Sequence, residues 1–358
     1  MISNHSIEEK GLSGYMERKR NLDLLKAICA FMVICIHAPF VGRPGEWVRA
    51  VSRIAVPVFF MITGYFYTHT KEMGNEKKQI LKIVRLYISS GLLYFVWDLV
   101  NTCLTGGVMT DWLAGHFNAK ARLYLVLLNL SPVGVHLWYL LAIIYVLLIV
   151  FFFEKKWNRQ KLYPLIPVLI LGNLMIEHCA SDMFGQPVKN IWTRNFLFTG
   201  LPYFLIGDMI FTRQIAIKPC KSFLLALVFT CTTVLEQVMI NMWRNGIIYD
   251  HYYSTAFLSF FVFMLAVHSN CDSRNKCTQV LSNFGKTFST EIYILHPIVI
   301  DVFRVSVGYL IAYSRIFYAY YYLETIVVFV CTTVLVWGIH HIKKVAKTKS
   351  VQYRSNHP

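Results

Sequence analysis

The sequence predicts an all-α polytopic membrane protein of about ten transmembrane helices with both termini cytoplasmic. Three observations predict it: the composition, the spacing of the apolar stretches, and the way the basic residues alternate between loops. Of 358 residues, 56% are hydrophobic and only 15% are charged, with a mean hydropathy of +0.48. Soluble domains carry about a quarter charged residues, so this balance points to lipid.

Ten apolar stretches follow one another, near 22–40, 52–70, 81–104, 134–153, 161–178, 196–212, 220–240, 252–268, 288–312 and 316–341. Each is long enough to cross a bilayer or nearly so, and the Gly and Pro inside several of them are tolerated in membrane helices. A further stretch, 123–130, reads as a short re-entrant or interfacial piece. With both ends inside, the inner segments hold 24 Lys and Arg and the outer segments 9; the last two, Lys26 and Arg304, lie within spans. Every inner loop is basic, the pattern that orients membrane helices, and one helix more or fewer midway would scramble it. The organisation expected is a cytoplasmic segment 1–21, a ten-helix membrane domain 22–342 and a basic cytoplasmic tail 343–358. The polar, basic lead Glu17-Arg18-Lys19-Arg20 is unlike a secretory signal, and no segment outside the spans reads as a second soluble domain.

The same distribution accounts for the formal net charge of +16. The cations follow topology loop by loop and meet anionic lipid head groups, and no nucleic-acid module is visible. The nine cysteines mostly fall in or beside spans, where a thiol behaves as a small hydrophobe, and Cys271 and Cys277 share an inner loop. No spacing matches a zinc site, so no metal is expected.

The first span holds the most informative residues. Lys26 and His37 lie eleven positions apart, three near-complete helical turns, so they share one face roughly 16 Å apart. Ionisable groups within a span usually face a protein interior or a wet cavity and mark a site. A histidine near neutral pKa can take a proton from a hydroxyl or carry an acyl group. The plainer alternatives stay open: His37 can snorkel to the interface, and Lys26 can pair with Asp23, three residues earlier.

Further motifs recur in order: Leu22-Asp23-Leu24-Leu25-Lys26-Ala27 with His37; Arg53 through Phe60-Met61-Ile62-Thr63-Gly64-Tyr65; His136-Leu137-Trp138-Tyr139-Leu140; Thr193-Arg194-Asn195-Phe196-Leu197-Phe198 with Pro202, Phe204 and Gly207; and Ile292-Tyr293-Ile294-Leu295-His296-Pro297. Together, in register with ten spans, these resemble the acyltransferase 3 family of bacterial integral-membrane O-acyltransferases over essentially the whole chain. Within it, the Arg53–Tyr65 and Thr193–Phe198 stretches look most like the membrane domain of the vancomycin-resistance serine racemases, here without a racemase domain.

The resemblance implies transfer of an acyl group, most often acetyl from acetyl-CoA, to a hydroxyl of a cell-envelope glycan or glycolipid at the bacterial cytoplasmic membrane. It implies His37 as the catalytic residue, base or acyl carrier. Lys26 stands where the family has an arginine, as the donor-binding cation; it keeps the charge but lacks the planar fork that grips phosphate. Arg53 and Arg194, with Asn195, are expected on the acceptor or oxyanion side, and Trp138 offers a ring for sugar stacking. Asp23, Glu291 and His296 are read as supporting residues, and Asp301 and Arg304 are spaced for an intrahelical ion pair. Two other function classes fit the pattern: a transporter of a small polar metabolite such as an amino acid, and a sensor or assembly partner without catalysis.

Overall fold

The computed structural model describes residues 2–179, 183, 189–244, 247–269, 275–310 and 316–356. Arg274, Arg315 and Cys271 fall outside the described residues. All ten predicted spans fall on helix, and no strand occurs among the described residues. The chain divides into two compact units, one made of residues 1–52 and 270–358, the other of residues 53–269.

The first unit consists of α1 (Ile2–His37), α2 (Gly42–Ser52), α12 (Lys276–Leu310) and α13 (Ile316–Asn356). Its core is one face of each long helix. Ala30 and Ile34 of α1, with Ala38 just past its end, recur every fourth residue and meet Ile292, Val299 and Ile300 of α12 and Val328 and Val336 of α13. The α1 and α12 backbones nearly touch: a Cβ on Gly285 would lie 1.9 Å from the Asp23 carbonyl oxygen. Small residues at a crossing are how membrane helices gain packing where lipid offers no hydrophobic contrast. Ser282 donates to the Arg20 carbonyl at 3.1 Å, so α12 stays helical from Lys276, twelve residues before the predicted span start at 288.

The second unit holds α3 (Ala55–Glu72), α4 (Glu76–Leu104), α5 (Met109–His116), α6 (Ala119–Leu128), α7 (Trp138–Phe153), α8 (Leu165–Leu174), α9 (Leu201–Thr212), α10 (Pro219–Arg244) and α11 (Thr255–His268). A π-helical turn, Met175–Cys179, prolongs α8, and another, Phe196–Gly200, leads into α9. Its centre is the α3–α9 crossing, built on reciprocal glycines. A Cβ on Gly64 would sit 1.9 Å from the Phe204 carbonyl oxygen, and one on Gly207 would sit 2.0 Å from that of Met61. The stretch predicted as re-entrant or interfacial, 123–130, is helix α6 with Leu123, Val126 and Leu127 exposed. Asn118 accepts from Ala121 N at 2.8 Å to start it, and Asn129, at φ 48°, ends it.

Apolar surface is distributed as a bilayer requires. Among the described residues, six helical stretches are long and apolar enough to cross a membrane, including Glu76–Leu104, Pro219–Trp243 and Tyr322–Ala346, and Phe196–Thr212 and Thr255–His268 are shorter apolar helices. Exposed large side chains line α4 (Ile88, Leu92, Val96), α10 (Phe223, Leu227, Leu235) and α13 (Leu323, Val330, Trp337). So much exposed apolar surface on three helices is a lipid-facing boundary, not a soluble exterior. The protein is an all-α, multi-pass membrane protein. The first and ninth spans are less apolar because they carry Asp23, Lys26, Glu291, Asp301 and Arg304.

Candidate functional site

In the first unit, α1 is unbroken from Lys26 to His37, so the two share a face as their spacing requires. The Lys26 ammonium lies 2.7 Å from Asp23 Oδ1; the Asp23 side chain is 6% exposed and that of Lys26 27%. The local pairing foreseen between them therefore forms, and the lysine still reaches the surface. His37 ends α1 with its ring exposed and 5.1 Å from that of His296, tilted by 48°. The last carbonyls of a helix have no partner within it. Arg304 Nη2 donates to the His37 carbonyl at 3.3 Å and Thr325 Oγ1 to that of Ala38 at 2.7 Å, which fixes where the His37 ring is presented.

His296 is fully buried behind His37. Its Nδ1 lies 3.0 Å from the Ile292 carbonyl, so Nδ1 carries hydrogen and donates there, leaving Nε2 as the acceptor nitrogen in the neutral ring. Arg304 also bonds Glu324 of α13 at 2.9 Å, a bond between helices. Glu291 likewise reaches α13, where His340 Nε2 lies 3.3 Å from its carboxylate.

In the second unit, Arg53 and Arg194 converge on one carboxylate that sequence reasoning passed over. Asp250 accepts a fork from Arg194, Nε to Oδ2 at 2.5 Å and Nη2 to Oδ1 at 2.6 Å, and Arg53 Nη1 lies 2.8 Å from Oδ1. Burial would push the Asp250 carboxyl up, but the Arg194 and Arg53 guanidiniums outweigh it and hold it well below the usual carboxylate range. The Glu177 carboxylate, whose charge also acts on Arg194, stands beside the two guanidiniums as a second acid, and Arg53 Nε is buried without a hydrogen-bond partner. The backbone carrying Asp250 is fixed by two acids. Glu177 accepts from the N–H groups of Asp250 and of His251 (3.0 Å), and Glu236 from those of Tyr253 (2.8 Å) and Ser254 (3.0 Å). These are the amides leading into α11, which lack intrahelical partners.

Asn195 serves this arrangement as a cap. Its Oδ1 accepts from Leu197 N at 3.0 Å and Phe198 N at 2.9 Å, and its Nδ2 donates to the Trp192 carbonyl at 2.8 Å, so it shapes the turn that presents Arg194. Trp138 opens α7 half-buried, its carbonyl accepting from Asn129 Nδ2 at 3.2 Å and its ring 6.5 Å from Phe60.

A second ionic cluster, also unforeseen, lies at the other end of α3. Arg159 reaches Asp208 Oδ2 (2.8 Å), Glu154 Oε1 (2.6 Å) and Thr68 Oγ1 (2.5 Å), and the Tyr163 hydroxyl donates to Asp208 at 2.7 Å. Lys71, with its side chain 42% exposed, adds a contact to Glu154 at 2.9 Å. Burial alone would raise the Glu154 carboxyl, but Lys71 and Arg159 together lower it. Arg53 lies two residues before α3 begins and Thr68 thirteen residues into it from Ala55, so the two clusters stand roughly 20 Å apart along the α3 axis. Asp208 and Glu177, lone acids in their predicted spans, were the available signal for both clusters. Among the described residues, no group of three or more His, Cys, Asp and Glu side chains is placed to hold a metal.

Comparison with known proteins bears on the whole chain. Residues 19–341 match the family defined by the Acyltransferase domain. Two amino-acid racemases of Enterococcus faecalis are similar over shorter stretches. One is 37% identical over 98 residues, 24% of this chain and 14% of that protein. The other is 25% identical over 213 residues, 54% of this chain and 28% of that protein. The matched stretches thus span less than a third of either relative. No solved structure matches.

Proposed function

The chain belongs to the acyltransferase 3 family of membrane acyltransferases, and from that premise we propose that it moves an acyl group, acetyl in the simplest case, from a cytosolic CoA thioester to a hydroxyl of a cell-envelope glycan or glycolipid. The observation that carries this reading is His37: an exposed imidazole at a helix end whose carbonyls are held by Arg304 and Thr325, backed by the buried His296 ring. His37 takes the proton of the acceptor hydroxyl as its oxygen attacks the thioester carbon. The C–S bond then breaks, and the imidazolium returns the proton to the CoA thiolate, giving an ester and free CoA. If His37 carries the acyl group instead, the same balance is reached in two transfers.

Lys26 suits the donor phosphates: it is cationic and reaches the surface, and its bond to Asp23 fixes its position. Arg53 and Arg194 suit the acceptor side, where guanidinium N–H donors favour an anionic glycan or a developing oxyanion. The test is release of CoA and acyl transfer from labelled acetyl-CoA by the purified protein in nanodiscs. Activity that needs the protein and disappears in His37→Ala supports the reading; failure to bind CoA at all overturns it. The second reading, carriage of a small polar metabolite such as an amino acid, rests on the similarity to two proteins named amino-acid racemases. Uptake of labelled serine into vesicles separates it from CoA-dependent transfer.

A further inference from the structure

The inner ends of α1 and α12 bring a second lysine to the level of Lys26. Gly285 of α12 packs against one turn of α1: a Cβ there would lie 1.9 Å from the Asp23 carbonyl oxygen and 2.8 Å from Ala27 N. Before it, Ser282 donates to the Arg20 carbonyl, and after it the His296 ring stands against that of His37, so the two helices run parallel. Lys286 follows Gly285 directly. With a rise of about 1.5 Å per residue, it lies within a turn of Lys26 in height.

The two lysines also share a side of the α1–α12 seam. On α12, the face toward α13 is marked by Phe284 and Phe288, whose rings meet those of Phe329 and His340, and by Glu291, which reaches His340. Lys286 is two residues from both phenylalanines, so it points roughly 160° away from them. On α1, the face toward α13 is marked by Phe31, whose ring lies 5.1 Å from that of Phe329. Lys26, five residues before Phe31, points roughly 140° away from it. Both lysines therefore flank the groove between α1 and α12 that is turned away from α13. His37 lies on that same side, roughly 16 Å further along α1. Asp23 offsets the charge of Lys26, Glu291 is turned to α13, and Lys286 is exposed without an acidic partner among the described residues.

We propose that Lys286 is a second donor-binding residue, which with Lys26 holds the phosphate groups of the acyl donor. The assignment rests on the acyl-CoA reading above. Coenzyme A carries a diphosphate and a separate ribose phosphate, more negative charge than one ammonium already bonded to Asp23 can balance. A lysine offers three donors on a flexible stem, and its charge-assisted bonds to phosphate are strong. Phosphates held at this inner level leave the thioester arm to run along the groove toward His37. Lipid headgroups carry the same phosphate chemistry, so the test separates the two sources.

The test is binding of CoA, measured by isothermal titration on the full chain in nanodiscs of zwitterionic lipid, for wild type, Lys286→Gln and Lys286→Arg. Lys286→Gln should raise the Kd about tenfold, the worth of one charge-assisted contact, and Lys286→Arg should stay near wild type. Added salt should weaken binding more in wild type than in Lys286→Gln, because one exposed charge fewer is left to screen. An equal Kd in wild type and Lys286→Gln overturns the assignment and leaves the acyl-CoA reading standing. No CoA binding by wild type overturns that reading and the assignment with it. An equal loss in Lys286→Gln and Lys286→Arg shows a role in packing, not charge, and overturns it too. If Lys286 serves a lipid headgroup, Lys286→Gln leaves the CoA Kd unchanged and loses instead the gain in melting temperature that phosphatidylglycerol gives wild type, which also overturns the assignment.

Discussion

Asp250→Asn is the sharpest single perturbation of the arginine cluster. The substitution keeps the size of the side chain and removes its charge. In the native protein the carboxylate is 6% exposed and takes three charge-assisted contacts, two from Arg194 and one from Arg53, all between 2.5 and 2.8 Å. An amide offers one oxygen for these donors and turns an NH2 toward a guanidinium, leaving two largely buried cations uncompensated. Breaking a buried ion pair by removing one partner destabilises by about 3–5 kcal/mol. For a cooperative unit of 150–250 residues each kcal/mol moves the melting temperature by roughly 2–4 °C, so the expected loss is roughly 6–20 °C. The assay is thermal unfolding of purified protein in nanodiscs, wild type against variant. Lys71→Ala serves as control: its pair with Glu154 is half exposed and should contribute no more than about 1 kcal/mol. If Asp250→Asn melts within about 2 °C of wild type, the cluster is not a net buried ion network and the reasoning fails.

Four further outcomes follow. His37→Ala should abolish acyl transfer while leaving the melting temperature within a few degrees of wild type, because its exposed ring contributes little packing; a parallel loss of stability would recast His37 as structural. Lys26→Ala should raise the KM for the CoA donor about tenfold, the worth of one charge-assisted contact, with kcat little changed, whereas Lys26→Arg should hold or lower it; equal KM values in all three proteins would remove Lys26 from donor binding. Gly207→Leu places carbon 2.0 Å from the Met61 carbonyl oxygen, so accumulation of folded protein should fall sharply, while Gly338→Leu, with open space around it, should be tolerated. Acid should weaken the Asp250 cluster with a defined sign. Its folded carboxyl is held below the unfolded value of about 3.9, so its contribution is fully present above that pH and fades as pH falls below it. Unfolding measured down the pH scale should therefore show the wild type losing its margin over Asp250→Asn only below about pH 4.

What the sequence disclosed and what it concealed divide along a physical line. Apolar length and loop charge are local properties, and they located the ten long apolar stretches, though not the short helices α2 and α5. The Lys26–Asp23 bond was legible for the same reason, since i, i+3 neighbours on a helix meet whatever surrounds them. The start of α12 was misjudged because residues 276–287 are polar by hydropathy; their helix is held by contact with α1 at Ser282 and Gly285, which no window along the chain can see. The partners of the candidate site were hidden likewise. Arg194 meets Asp250 across 56 residues, Glu177 meets Asp250 across 73, and Arg159 meets Asp208 across 49. Periodicity gives the face of one helix but not its register against another, so Arg53 and Arg194 were visible as cations and not as a pair.

The register is what the glycines of the recognised motifs supply. Gly64 and Gly207 let α3 and α9 cross with backbone against backbone, and a crossing that close has few alternatives in height or rotation. Gly64 lies four residues before Thr68 on α3 and eleven beyond Arg53, which stands in the turn that leads into that helix. One contact therefore sets the position of Arg53 against Asp250 at one end of α3 and of Thr68 against Asp208 and Arg159 at the other. Neither cluster contains a glycine, yet both depend on these two. A substitution at Gly64 that merely slides α3 by a fraction of a turn would separate Arg53 from Asp250 and Thr68 from Asp208 together, whereas Asp250→Asn disturbs only the first. Loss of both clusters from one distant glycine, against loss of one from its own carboxylate, is the signature of a helix acting as a single lever.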